Sequence, residues 1–205
     1  MENKLILPKK YISWSQLICW ITSPDRYRRE YFEIGKKLDT KYLRFGHGIH
    51  EMIENGTYKE LLPDLVVYDT NEFKVQTVVN GVPTLSYIDS YDSKNNVFRD
   101  TKTGKIPWTK AKVIKHGQLV FYATVLKHSC GKTPEYCHLD WIETKEGPGE
   151  TTDFWRQEEN KLNVTGRVVS FCRPFSDIEI ERMEELIVKV ANEISEAYQE
   201  FIKEI

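Results

Sequence analysis

The segment from Gly81 to Lys105 restricts the possible folds of this 205-residue chain more than any other part of its sequence. It predicts one strand that ends at Asp89, a polar turn, and a second strand that carries Asp100-Thr-Lys102. Side chains alternate along a strand, so Asp100 and Lys102 share a face, and a hairpin brings Asp89 close to Asp100. Two carboxylates beside one ammonium suit a divalent metal and a water poised for phosphodiester hydrolysis.

The remaining segments predict helices on both sides of this strand pair. We predict helices at 11–33 (interrupted at Ser23-Pro24), at 43–55, at 108–128 and after the capping box Ser176-x-x-Glu179. We predict strands at 65–68, 73–79, 138–144 and 163–172, and a loop at 145–152. Asn80-Gly81 predicts a tight hairpin turn, so residues 73–103 form a three-stranded meander. This order predicts an α/β fold, in which helices flank a central sheet, and a single domain over 1–205.

Charge is distributed unevenly, although the net charge is only −2. Residues 1–50 hold ten Lys/Arg against five Asp/Glu, and residues 101–116 hold five Lys and no acid. Both stretches flank the candidate site and suit a polyanionic substrate, although solvated faces would give the same pattern. No apolar run approaches ~20 residues and no signal-peptide core is present, so we expect a cytoplasmic protein with no membrane partner.

Five motifs occur in chain order: Tyr11-Ile-Ser-Trp-Ser with Ser23-Pro24-x-x-Tyr27, Gly46-His-Gly-Ile-His50, Ile88-Asp89, Asp100-Thr-Lys102 and Gln118-Leu-Val-Phe-Tyr122. Together they resemble the PD-(D/E)xK nuclease superfamily, specifically its RecB-like and Cas4-like exonuclease branch. Each motif is weak alone, because an Asp-x-Lys arises often by chance, whereas all five in this order are specific. The resemblance covers most of the chain, from about residue 11 to residue 190, and implies a restriction-endonuclease-like core with a mixed sheet.

The resemblance implies a role for each matched residue. Four residues would bind Mg²⁺ or Mn²⁺, the last of them through its backbone carbonyl: His50, Asp89, Asp100 and Thr101. Lys102 would hold or deprotonate the attacking water and offset the charge that builds on the phosphorane. Gln118 and Tyr122 lie four residues apart on one helix face, where they would orient the lysine and contact the DNA.

Three further residues bear on the site. Relatives sometimes carry an acid at the position of Glu72, which makes it a secondary candidate. Asp92 follows the same strand as Asp89, and we prefer Asp89 because its neighbours mark it as the exit of the strand. Ser86 stands where relatives usually have glycine, so we expect its side chain to crowd the backbone near the metal.

The chain departs from those relatives that carry an iron–sulfur cluster. Ser23 stands at the position of their first cysteine, and no C-x-x-C follows Cys172. No zinc-finger spacing occurs either. We therefore predict no iron–sulfur cluster and buried thiols at all four cysteines, Cys19, Cys130, Cys137 and Cys172.

The resemblance implies a metal-dependent DNA nuclease, in the first place an exonuclease on single-stranded DNA or DNA ends in phage or mobile-element replication, recombination or repair. Two alternatives stay open: an endonuclease with the same site, and a catalytically silent DNA-binding or adaptor protein. No Walker A motif occurs, so a helicase or recombinase partner would be a separate chain. The apolar stripe Met183–Phe201 either packs on the domain or forms a homo-oligomer through a helix pair.

Overall fold

The computed structural model describes residues 5–33, 39–146 and 162–204. The helices are α1 (Trp14–Thr22), α2 (Pro24–Tyr27), α3 (Lys41–Glu54), α4 (Lys110–Ile114), α5 (Gly117–Cys130) and α6 (Asp177–Glu204), with a π-helical turn at Arg28–Phe32 and a 3-10 turn at Thr57–Glu60. The strands are β1 (Thr70–Val79), β2 (Val82–Asp92), β3 (Val97–Gly104), β4 (Tyr136–Glu146) and β5 (Leu162–Pro174). No described helix is long and apolar enough to cross a membrane.

The five strands form one mixed sheet in the order β1-β2-β3-β4-β5. All neighbours are antiparallel except β3 and β4, which are parallel and are joined by the crossover through α4 and α5. The predicted meander is present as β1, β2 and β3. Its first turn has positive φ at Asn80 (46°) and Gly81 (86°), as a tight hairpin turn requires. The predicted α/β fold with a central mixed sheet is therefore confirmed.

The pairing of β2 with β3 is short, and this opens the centre of the sheet. The two strands pair only where Ser90–Asp92 meets the start of β3. Further back along β2, the N-terminal segment takes the free edge, because Ile12 N–H donates to the Pro83 carbonyl at 2.8 Å and Leu85 N–H donates to the Ile12 carbonyl at 3.1 Å. A gap between β2 and β3 therefore begins at Asp89, the predicted site residue.

Two hydrophobic cores lie on opposite faces of the sheet. The larger core packs α1, α5 and α6 against one face and includes Trp141. The smaller core packs Phe45 and Ile49 of α3 against Ile142. Trp141 and Ile142 are neighbours in β4 and therefore point to opposite faces. Helix α3 thus lies across the sheet from α5, and the two helices carry His50 and Gln118 respectively.

Helix α6 closes the larger core. Its predicted capping box is present: Ser176 N–H donates to Glu179 Oε2 at 3.1 Å, and Glu179 N–H donates to Ser176 Oγ at 3.4 Å. The inward residues of the apolar stripe are buried in the larger core: Met183, Ile187, Val190 and Ile194. The stripe thus packs on the domain, and these side chains are unavailable for a helix pair.

Two predicted elements differ in the structure. The predicted helix at 108–128 is present as two helices, α4 and α5, because the backbone is extended at His116 between them (φ −79°, ψ 98°). Residues 65–68 form no strand; Leu65 packs into the smaller core and Tyr68 N–H donates to Ser90 Oγ at 2.6 Å. Their apolar pattern reflected burial without strand pairing.

Two other predictions hold in part. Of the predicted loop at 145–152, residues 145 and 146 belong to β4, and the rest lies outside the described residues. Of the four thiols predicted to be buried, those of Cys19 and Cys137 are buried, whereas Cys130 and Cys172 are exposed. Cys130 ends α5 and Cys172 lies on the edge strand β5, where only one side of the element is covered.

We expect Gly117→Ala to destabilise the protein, because a Cβ atom there would lie 2.5 Å from the Trp14 ring. Overpacking of this kind costs about 1–3 kcal/mol and should lower the melting temperature in thermal unfolding. Gly46→Ala in α3 is the matched control, since its Cβ would meet nothing closer than Thr103 Oγ1 at 3.9 Å and alanine favours a helix. Equal melting temperatures for the two variants would contradict this packing.

Candidate active site

Side chains from three elements converge at the gap between β2 and β3: His50 of α3, Glu72 of β1 and Asp89 of β2. His50 Nδ1 lies 3.1 Å from Glu72 Oε1 and 3.6 Å from Asp89 Oδ1. The potential ligand atoms of the three residues lie within 4.8 Å of one another. One cation could therefore contact all three.

Glu72 has a strained backbone. Its φ of 46° is left-handed, which few residues other than glycine adopt. Its neighbours Asn71 and Phe73 pair with Ser90 and Ile88, so Glu72 lies opposite Asp89 without pairing. Such a conformation costs about 1–3 kcal/mol and is often kept at functional sites. Glu72 was only a secondary candidate from the sequence, because no local pattern indicates a left-handed residue inside a strand.

Asp89 lies within β2 and not at its exit as predicted, because the strand continues to Asp92. Its Oδ2 accepts a hydrogen bond from the Thr101 backbone N–H at 2.6 Å. Burial raises the pKa of Asp89 to about 7, and the charge of Asp100 adds to this rise against the opposing charges of His50 and Lys102. Asp89 therefore holds a proton near neutral pH when no cation is bound.

Asp92, the rival candidate, caps the turn between β2 and β3. Its Oδ1 accepts hydrogen bonds from the N–H groups of Lys94 and Asn95 at 3.0 and 3.1 Å. The hydrogen bond from Asn95 Nδ2 to Oδ2, 2.6 Å long, lowers the pKa of this carboxyl most, and the two backbone bonds add to the effect. The side chain is therefore committed to the turn, and the geometry favours Asp89 for the site.

Asp100 is completely buried. Its Oδ1 accepts a hydrogen bond from Lys102 Nζ at 3.0 Å, and its Oδ2 has no hydrogen-bond partner among the described residues. A buried oxygen without a partner costs about 1–3 kcal/mol, which a bound cation would offset. Carboxylates together with the His50 imidazole fit a hard divalent metal such as Mg²⁺ or Mn²⁺. Coordination by the Thr101 carbonyl stays a prediction.

Lys102 is held as a cation. Burial lowers the pKa of its amine, but the charges of Asp100 and Asp89 and the hydrogen bond to Asp100 outweigh burial and raise it. Of the two roles that the resemblance implies for Lys102, this environment favours a positive hydrogen-bond donor over a base.

Gln118 and Tyr122 are in contact on one face of α5, where Gln118 Nε2 donates to the Tyr122 hydroxyl oxygen at 2.7 Å. Burial raises the pKa of Tyr122 well above its ordinary value, and the charges of Asp100 and Asp89 add to this rise. The phenol therefore stays neutral and able to donate a hydrogen bond beside the two aspartates.

A buried ion pair supports the site from the adjacent strand. Arg99 Nη1 lies 2.8 Å from both carboxylate oxygens of Asp140, and both residues are buried. The pair joins β3 to β4 one residue before Asp100. Buried ion pairs contribute little net stability but can specify register. Sequence reasoning missed the pair, because its members lie 41 residues apart with no shared motif.

Comparisons with known proteins concern the fold. No family model matches the sequence, and no curated protein matches it either. The structure of a phage-related exonuclease from Haemophilus somnus matches at 14% identity and a TM-score of 0.51, over 90% of this chain and 82% of that one. An alkaline exonuclease from Laribacter hongkongensis matches at 10% identity and a TM-score of 0.52, over 95% of this chain and 93% of that one.

A second structure of the Laribacter exonuclease, in complex with dAMP, matches at 11% identity and a TM-score of 0.52, over 96% of this chain and 94% of that one. This chain shares the fold of these exonucleases. The result confirms the predicted restriction-endonuclease-like α/β architecture. At identities of 10–14%, this likeness concerns the fold alone.

We expect Glu72→Gln to lower the pKa of His50 in the metal-free protein. Burial lowers that pKa, but the hydrogen bond to Glu72 and the charges of Asp89 and Glu72 outweigh burial and raise it. NMR titration of the His50 ring measures the change. Glu51→Gln, next to His50 in α3 but exposed, is the control and should leave the pKa unchanged. A His50 pKa that is insensitive to Glu72→Gln would contradict this pairing.

We expect Mn²⁺ to bind more weakly as the pH falls, because Asp89, with a pKa of about 7, holds a proton that the cation must displace. The proton is bound below that pH and absent above it. The Asp89 proton alone weakens the affinity about tenfold from pH 8 to pH 6, measurable by calorimetry, and the proton on His50, whose pKa is also raised, adds to this change. Asp92→Asn should keep the full dependence and Asp89→Asn should reduce it. An affinity that does not change with pH would exclude Asp89 as a ligand.

Proposed function

We propose that this protein is a divalent-metal-dependent deoxyribonuclease of the PD-(D/E)xK superfamily, from its RecB-like and Cas4-like branch but without the iron–sulfur cysteines. The observation that carries the proposal is the buried set of Asp89, Asp100 and Lys102 at the gap between β2 and β3. A fold shared with exonucleases supports it.

A divalent metal would supply Lewis-acid chemistry and lower the pKa of a water. His50, Glu72 and Asp89 would hold it through ligand atoms that lie within 4.8 Å of one another. Asp100 lies outside this group and would join it from β3. The Thr101 N–H keeps the Asp89 carboxylate fixed at 2.6 Å, so the ligand is oriented before the ion arrives. The free Oδ2 of Asp100 offers an oxygen that no described group occupies.

Lys102 would stabilise the transition state directly. Its ammonium lies 3.0 Å from Asp100 Oδ1 and can also donate to a phosphate oxygen as negative charge develops. The Tyr122 hydroxyl, which Gln118 fixes at 2.7 Å, would contact the DNA backbone beside it. These groups are already positioned, so little reorganisation is needed during the reaction.

The substrate we propose is single-stranded DNA or a DNA end, cut from the end. The named activity of the structures that share this fold supports an exonuclease, and one of them holds dAMP. The lysine-rich segment 105–115 follows Lys102 directly and suits a phosphate backbone. We also propose that the protein acts in phage or mobile-element recombination, together with a helicase or recombinase that is a separate chain.

We expect Lys102→Ala to lose about 100-fold or more in rate, as removal of one positioned transition-state donor does. The assay follows end-labelled single-stranded DNA and a closed circle with Mn²⁺ or Mg²⁺. Lys189→Ala is the matched control, since Lys189 is exposed, pairs with Glu193 at 3.9 Å and lies on α6, outside the lysine-rich segment. Wild type and Lys189→Ala should degrade the linear strand and spare the circle.

Other results would change the proposal. Cutting of the circle would identify an endonuclease with the same site. Equal rates for wild type and Lys102→Ala would show that the site is misplaced. A wild type that binds Mn²⁺ and DNA without cutting would indicate the silent DNA-binding alternative.

A further inference from the structure

A cavity of about 730 Å³ opens next to the candidate site. It lies between the N-terminal segment with α1 on one side and β2 with α5 on the other. Gln118 and Tyr122 line it, so it is continuous with the site, whereas neither Lys102 nor Asp89 is among its described lining residues. Its volume lies within the range of small-ligand pockets, about 300–1,000 Å³.

Aromatic rings dominate the wall of this cavity. Besides Tyr122, its lining includes Tyr11, Trp14, Tyr31, Phe32, Tyr87 and Tyr198. The Tyr87 side chain is the accessible one on β2, with 49% of the residue exposed. Every nucleobase has a π-face, so aromatic rings bind bases without regard to sequence.

The charge of the cavity argues against a phosphate ligand. Among its described lining residues, only Lys9 and Glu30 are charged, and their charges are opposite. Glu30 is also held by Arg26 at 2.6 Å. The cavity therefore suits an uncharged ring, whereas the phosphates suit Lys102 and the lysine-rich segment.

Ser86 also lines the cavity, but it is only 4% exposed and its Oγ is buried without a hydrogen-bond partner among the described residues. Ser86 and Tyr87 are neighbours in β2, so their side chains point to opposite faces of the strand and one ligand ring cannot contact both. The crowding expected from Ser86 near the metal stays a prediction.

We propose that this cavity binds one unpaired nucleobase of the DNA strand that is cut, by stacking on the exposed ring of Tyr87. The inference rests on the proposed nuclease function for its location next to the scissile phosphodiester. A base held in the cavity cannot remain paired in a duplex. The substrate class is therefore single-stranded DNA or a frayed end.

Binding without metal tests the proposal apart from cleavage. Fluorescence anisotropy in EDTA compares labelled (dT)₁₀ with an abasic ten-residue strand that carries the same phosphates. Wild type should prefer (dT)₁₀ about tenfold, as expected for one stacked base. Tyr87→Ala should lose most of this preference, and Tyr87→Phe should keep it. Tyr42→Ala, at a tyrosine 55% exposed outside the cavity, is the control and should match wild type.

Thermal unfolding checks that each variant folds. A wild type without preference for (dT)₁₀, or a Tyr87→Ala variant that keeps it, would overturn the proposal. Cleavage by wild type together with either result would leave the nuclease function standing. Base-dependent binding without cleavage under any divalent metal would support the cavity and overturn the nuclease proposal.

Discussion

The hydrogen bond from the Thr101 backbone N–H to Asp89 Oδ2, 2.6 Å long, is the contact on which the rest of the site depends. In an ordinary antiparallel pair this N–H would bond to a backbone carbonyl. Here a side chain takes that place, so β2 and β3 separate and yet stay joined. The separation makes room for a ligand group, and the bond fixes one carboxylate at its edge. Asp100 and Lys102 lie on either side of Thr101 in β3, so the same bond positions both of them beside Asp89.

The pKa values of Asp89, His50 and Lys102 are all raised, but not by the same main cause. Burial is the main cause for Asp89, and the charge of Asp100 adds to it. Burial lowers the pKa values of His50 and Lys102, and the neighbouring carboxylates outweigh it. In the metal-free protein, bound protons and the Lys102 ammonium thus offset the negative charge of the carboxylates. A divalent cation would replace the protons and leave Lys102 in place, which links metal binding to pH.

Local features of the site and fold were predictable from the sequence. The Asn80-Gly81 turn, the Ser176 capping box and the Asp-x-Lys strand are each encoded within a few residues. Features that involve distant segments were not predictable: the left-handed φ of Glu72 occurs opposite Asp89, and the Arg99–Asp140 ion pair joins residues 41 positions apart. Short motifs therefore indicated the site, and tertiary packing completed it.

The position of α6 has a consequence for synthesis of the chain on the ribosome. All the proposed site residues lie between His50 and Tyr122, yet α6 supplies the last layer of the larger core through Ile180, Ile187 and Ile194, each fully buried. Domains generally fold as units. A nascent chain that has not reached α6 carries every candidate site residue on an unfinished core. Translation of α6 therefore sets the earliest moment at which the core behind the candidate site is complete.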